Sequence, residues 1–189
     1  DGTDEEWQVA TFDLYPAILT RAGTWPTIGN HEMGSGGGST SSDPNSYLPA
    51  NSTAPAYRTP YLDIFTLPIA GESGGVPSGT EQYYSFDYGN VHVVSLDSQL
   101  SARDTALRAA MRAWLEADLS ANTADWTIVI YHHPTYSKNL VHDSDGNLGG
   151  LDQPMLDMRP EFVPVFDAHG VDLVYSGHSH SYERSYYIT

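Results

Sequence analysis

The chain has no cysteine, which excludes a disulfide framework, a thiolate metal site and a cysteine nucleophile. Positive charge is almost as scarce. Eight Lys and Arg stand against 24 Asp and Glu, a formal charge of −16, and Lys138 is the one lysine. A surface that acidic repels phosphate backbones, so sequence-independent nucleic-acid binding is excluded. A small phosphorylated substrate is compatible with it where metal ions supply the missing positive charge. No apolar run approaches the ~20 residues of a membrane span, so no membrane is expected. An initiator methionine and a signal peptide are also lacking. The chain opens Asp1-Gly2-Thr3-Asp4 and closes on Tyr187-Ile188-Thr189 inside an apolar stretch. Both ends read as cut, and the chain reads as a piece of a longer protein.

What is present suits one packed domain, 1–189: 189 residues, 40% hydrophobic and 17% charged. Residues Asp4 to about Ala22 predict a helix with Trp7, Phe12, Tyr15, Ile18 and Leu19 on one face, capped by Thr3 or Asp4 and kinked or split at Pro16. Trp25-Pro26-Thr27-Ile28 predicts a short buried strand. Residues 33–60 are rich in Gly, Ser, Thr, Asn and Pro and predict a surface loop. Its Gly34–Gly38 run lacks the Lys-Ser/Thr of a P-loop, and Asn51-Ser52-Thr53 is a formal glycosylation sequon. Residues 83–88 and 91–97 predict strands joined by a hairpin at Gly89-Asn90. Leu107, Met111, Trp114, Leu115 and Leu119 predict a helix over about 103–120, with Arg112 and Glu116 one turn apart on its wet side. Trp126–Tyr131 predicts a strand buried on both faces. A second helix is expected over about 160–169, with Pro160 at its start and Gly170 past its end. Val171–Ser176 predicts another buried strand. Strands alternating with helices argue for an α/β or mixed α+β layered sheet.

Three of these strand-like segments end in polar clusters: Gly29-Asn30-His31-Glu32, His132-His133 and His178-Ser179-His180. Loops converge at the carboxyl ends of strands in open α/β sheets, and five of the eight histidines fall there. One such histidine alone would be read as structural; their common placement points to a site. His178 and His180 are two apart, so an extended backbone would project both rings to one side. With the Asn30 carboxamide and His132 they form a mixed N/O set suited to Zn, Mn, Fe or Co. No loop offers an obvious carboxylate ligand, Glu32 being the nearest. Asp143-Ser144-Asp145-Gly146-Asn147 fails as a calcium loop, with its glycine misplaced and Pro154 at the twelfth position. His142 beside it is a candidate acid or substrate contact. His92 and His169 lack such a setting and are expected to be structural. Ser137, Ser179 and Ser181 have no Ser-His-Asp signature around them.

Gly29-Asn30-His31-Glu32, Val129-Ile130-Tyr131-His132 and Gly177-His178-Ser179-His180 resemble the last three of five motif blocks of calcineurin-like metallophosphoesterases. The nearest likeness is to the purple-acid-phosphatase-like branch. Trp25-Pro26-Thr27, Tyr83 to Ser98, His133 to Lys138 and Ser179 to Ser185 look typical of its bacterial members. The resemblance implies a four-layer α/β/β/α sandwich with a two-metal centre between the sheets, hydrolysing phosphate monoesters. It implies two divalent or trivalent ions, Fe, Zn or Mn. Asn30, His132 and His178 would bind the second ion and His180 the first. His31 would contact the phosphoryl group. His142 would assist it or protonate the leaving group, and Glu32 would act from behind the ligands. The family's habit also suggests a secreted or periplasmic location.

The family's first two blocks, which carry a bridging Asp, a second Asp and the colour-giving Tyr, are absent. Asp1–Asp4 looks like the stretch that comes just after the second block. The sandwich is therefore expected to be N-terminally incomplete, with an exposed sheet edge and apolar surface through which it could form an oligomer. This chain alone is expected to hold one metal ion or none and to hydrolyse little. Two further readings stay open: a phosphodiesterase or nucleotidase of the same superfamily, and a non-catalytic metal-binding or interaction domain.

Overall fold

The computed structural model describes residues 4–33, 60–99, 101–102, 104–140, 142–145 and 153–186. The glycine run at 34–38, the sequon at Asn51, the Thr3 cap and Gly146-Asn147 lie outside them.

The described residues form a mixed α/β layer built on one four-stranded sheet, in keeping with the α/β class expected. Its strands are β1 (Tyr84–Tyr88), β2 (Val91–Ser95), β3 (Trp126–Tyr131) and β4 (Leu173–Ser176), in spatial order β1-β2-β3-β4. β1 and β2 are an antiparallel hairpin. The turn places Gly89 at φ 62, a left-handed conformation that a residue without a Cβ adopts freely. β2, β3 and β4 run parallel, joined by α4 (Thr105–Ala121) and α5 (Gln153–His169), the long crossovers that parallel pairing requires.

α4 forms because its apolar residues recur every three to four positions and Asp104 caps it, accepting from the amides of Ala106 and Leu107 at 2.9 Å each. Arg112 and Glu116 pair across one turn at 3.1 Å. Met111, Leu115 and Leu119 of α4 meet Met158, Phe162, Val165 and Phe166 of α5 over Val94, Val129 and Tyr131 of the sheet. Each such side chain contributes about 1.5–3 kcal/mol by leaving water. The other face is covered at the β1 side by a second cluster of Ile28, Tyr61 and Leu62 of α3 (Tyr61–Ile64), Leu67 and Tyr84.

Several sequence expectations need correction. The first segment is not one helix but α1 (Asp4–Trp7), a π-helical turn (Gln8–Phe12) and α2 (Pro16–Leu19). Pro16 starts α2, as a ring without an N–H can. Tyr15 and Ile18 are exposed rather than on a buried face. Residues 25–28 are not a strand. Pro26 cannot donate to a ladder, and its carbonyl instead accepts from the hydroxyls of Tyr61 at 2.8 Å and Tyr84 at 2.6 Å. α5 begins seven residues before Pro160, and Pro160 and Pro164 lie inside it. Both sit on its solvent side, where water can satisfy the carbonyls their missing amides leave. β3 is fully buried on one face only: Thr127, Val129 and Tyr131 point into the core, whereas Trp126 is exposed.

The largest departure is β4. Its composition predicts burial, yet all four of its residues are exposed, Leu173, Val174 and Tyr175 at 41%, 39% and 59%. It lies at the edge of the sheet, and among the described residues β3 is its one neighbour there. An apolar run with nothing packed on it stays wet whatever its composition.

Candidate metal centre

Register positions the site. β3 and β4 are parallel with Tyr131 opposite Ser176, so both strands stop at one level and their following loops emerge side by side. The ladder continues one step further, the Gly177 amide donating to the His132 carbonyl at 3.0 Å. The 25–29 segment arrives beside them, held by the two tyrosine hydroxyls and by Thr27 Oγ1 donating to the Leu96 carbonyl at 3.2 Å. It then turns into a 3-10 turn, Asn30–Met33. The Glu32 carboxylate accepts from the Gly29 amide at 2.8 Å and closes that turn. Burial raises the Glu32 pKa, opposed by this backbone hydrogen bond.

Three donor atoms from these three segments converge. Asn30 Oδ1 lies 2.6 Å from His132 Nε2 and 3.3 Å from His178 Nδ1, and the two ring nitrogens are 3.2 Å apart. Glycines make the approach possible. A Cβ on Gly29 would stand 2.8 Å from His132 Nδ1 and 2.9 Å from Glu32 Oε2, inside any normal contact. His178 and His180 have φ of 64 and 52, a conformation that costs a non-glycine residue on the order of 1 kcal/mol and is concentrated at functional loops.

The electrostatics suit a cation of the transition series. Burial, and then the neighbouring rings of His178, His31, His180 and His142, push the His132 pKa down to about 3. Its ring is therefore neutral, as a metal ligand must be. A carboxamide oxygen with two imidazole nitrogens is a borderline donor set that fits Zn, Mn, Fe or Co.

The other sequence candidates gather around this tripod. The His142 ring is tilted against that of His178 with 4.1 Å between centroids, and lies 6.3 Å from that of His180. The backbone at 178 and 180 is left-handed rather than extended, so the two-residue spacing does not align the rings as an extended chain would, yet both still face His142. His31 is exposed on the 3-10 turn. His180 is not among the imidazoles able to share one ion, which in the described residues are His132, His133 and His178. Sequence reasoning names His133 in its cluster but gives it no ligand role. It is 2% exposed, with Nδ1 3.0 Å from Ser98 Oγ. Only its adjacency to His132 could have flagged it. His92 is structural, as expected: its ring lies between Asp87 at 2.7 Å and Asp118 at 2.8 Å.

A cavity of about 420 Å³ opens at the opposite end of the sheet, lined by Asp87, Asn90, His92, Asn122 and Asp125 among others. Its exposed charges are aspartates, which repel phosphate esters.

The histidine-bearing strand ends and the mixed sheet agree with what comparisons with known proteins show. The model of the calcineurin-like phosphoesterase family matches residues 1–182, and the chain belongs to that family. It is 36% identical over 117 residues to purple acid phosphatase 18 of Arabidopsis thaliana, covering 60% of this chain and 23% of that protein. An uncharacterized protein of Mycobacterium tuberculosis is 32% identical over 173 residues, covering 85% of this chain and 27% of its own length. A phosphoenolpyruvate phosphatase of Allium cepa is 28% identical over 166 residues, covering 86% and 28%. The chain thus spans about a quarter of the length of these relatives.

Proposed function

We propose that this chain is the C-terminal part of the catalytic domain of a metal-dependent phosphoric ester hydrolase that acts on small phosphate monoesters. The observation that carries the proposal is the meeting of Asn30 Oδ1, His132 Nε2 and His178 Nδ1 within 3.3 Å of one another. Relatives named as acid phosphatases and a phosphoenolpyruvate phosphatase support phosphate esters as the substrate class.

When bound, a divalent transition ion supplies Lewis acidity toward phosphoryl oxygens and lowers the pKa of water towards ~7. The remaining work falls to the chain. Asn30, His132 and His178 would hold the ion, and the Gly29 turn closed by Glu32 fixes the Asn30 carboxamide. His31, exposed on the same turn, donates to a phosphoryl oxygen as charge develops there. His142, its ring tilted against His178, hands a proton to the departing alkoxide, a role worth about 10²–10⁴-fold. His180 would hold a second ion in a dinuclear arrangement.

The group of imidazoles that could share an ion contains no carboxylate among the described residues. The chain alone therefore binds a single ion and hydrolyses poorly. That same observation favours a second reading, a metal-binding domain without catalysis. Hydrolysis of p-nitrophenyl phosphate with added Mn, Zn or Fe separates the two. This chain and one extended upstream by the missing motif blocks are assayed side by side. Activity of the extended chain that His132→Ala abolishes supports the hydrolase; an inactive extended chain overturns it. Export to the periplasm or the exterior, proposed from the secreted habit of the family, is tested by fractionation of the source cells.

A further inference from the structure

We propose that His133 is a further metal ligand in this chain, giving the single site three imidazoles and one carboxamide, with Ser98 as the partner that orients it. The inference rests on the metal-binding half of the proposed function and is independent of hydrolysis.

His132, His133 and His178 each offer a donor atom, and these atoms lie within 4.8 Å of one another. The His133 ring stands edge-on to His132 at 4.8 Å and tilted against His178 at 4.4 Å. It is 2% exposed, so no solvent shell has to be stripped from it. Tetrahedral coordination at about 2.0–2.1 Å separates ligand atoms by about 3.4 Å, so small side-chain adjustments shared among the three rings bring them onto a common ion.

Ser98 has the placement that histidine ligands normally require. A ring that binds metal through one nitrogen donates the N–H of the other to a fixed acceptor. Ser98 Oγ lies 3.0 Å from His133 Nδ1 and also accepts from the His133 backbone amide at 3.0 Å. An Nδ1–H donated to that hydroxyl puts the lone pair on Nε2, which becomes the donor toward the ion. Ser98 is itself fully buried, three residues beyond β2, so the acceptor is carried by the strand that pairs with β3. Among the described residues no carboxylate joins this group, and a fourth protein donor completes the four-coordinate shell of a structural-type ion.

The test is titration of this chain with Co(II) and Zn(II), followed by calorimetry and by the visible ligand-field bands of Co(II), for the native sequence and His133→Phe. Phenylalanine keeps a ring packed on His132 and His178 and removes only the donor. Thermal unfolding and circular dichroism establish that the variant is folded, and His133→Gln, which restores a polar donor, serves if it is not. The expected result is at least a tenfold loss of Co(II) affinity in His133→Phe, with weaker or shifted bands, and about a tenfold loss in Ser98→Ala. Native affinity and an unchanged Co(II) spectrum in His133→Phe overturn the inference and leave the three-donor site standing. Failure of the native chain to bind either ion overturns both.

Discussion

Gly29 is the position where a single methyl group should do the most damage to the site. Its Cβ would stand 2.8 Å from His132 Nδ1, 3.0 Å from His132 Cε1 and 2.9 Å from Glu32 Oε2. Ordinary contact begins near 3.4 Å, so Gly29→Ala requires the imidazole to yield by about 0.6 Å. The carboxylate must retreat similarly and weaken its bond to the Gly29 amide. Overpacking of this kind costs about 1–3 kcal/mol, or roughly 2–12 °C in Tm for a domain of this size. The displaced ring also carries a ligand atom, and a shift of ~0.5 Å is enough to degrade a binding constellation. The expected loss in Zn(II) affinity is about 10–100-fold, the range seen when a ligand's support is removed. Gly177 supplies the control. It faces the same ring, but its Cβ would lie 3.4 Å from His132 Nδ1, an ordinary contact, so Gly177→Ala should bind Zn(II) almost normally. Calorimetric titration and thermal unfolding of both variants decide the matter. Equal effects of the two substitutions, or native binding by Gly29→Ala, would refute the steric argument.

Two other tests address the scaffold. Burial acts to lower the His92 pKa, but hydrogen bonds to Asp118 and Asp87 outweigh it and the net shift is upward. Because the folded value is the higher one, the stabilisation is complete below the ordinary value of 6.5 and is lost as pH rises through the folded value. Urea midpoints measured from pH 6 to 9 should fall for the native chain more steeply than for His92→Gln; parallel profiles would contradict the assignment. At pH 6 that variant should lose about 3–5 kcal/mol, since the Asp118 carboxylate is left buried without its cation. Tyr61→Phe and Tyr84→Phe should each cost about 0.5–1.5 kcal/mol, because either hydroxyl alone still satisfies the Pro26 carbonyl. The double variant should lose more than the sum in a denaturation cycle, and strict additivity would show that the two do not share the acceptor.

The parts of the fold legible in the sequence are those decided locally. The spacing of Met111, Leu115 and Leu119 fixes α4, and Gly89-Asn90 between two alternating runs fixes the hairpin. Legibility fails where the deciding partner is distant. Nothing near Pro26 announces that its carbonyl will be met by hydroxyls 35 and 58 residues further on. Pro160 reads as a helix start, yet α5 runs through it, because Met155, Met158 and Phe162 bury one face while both prolines keep to the other. Leu173-Val174-Tyr175 has the composition of a core strand, and only the sheet order makes it an edge. At the site, the residues are readable and their geometry is not. Histidines at the ends of apolar runs mark the loops, but the register of β3 against β4 is what sets His132 beside His178. His133 stands in a legible cluster, but only the folded loops bring its ring against both His132 and His178.

Crystals of the chain grown with Zn(II) and measured across the zinc absorption edge test the central claim most directly. The account predicts one anomalous peak, bound by Asn30 Oδ1, His132 Nε2 and His178 Nδ1 at about 2.0–2.2 Å. A peak seated instead among Asp87, Asn90 and Asp125 at the far end of the sheet, or no peak near the three histidine-bearing loops, would contradict it.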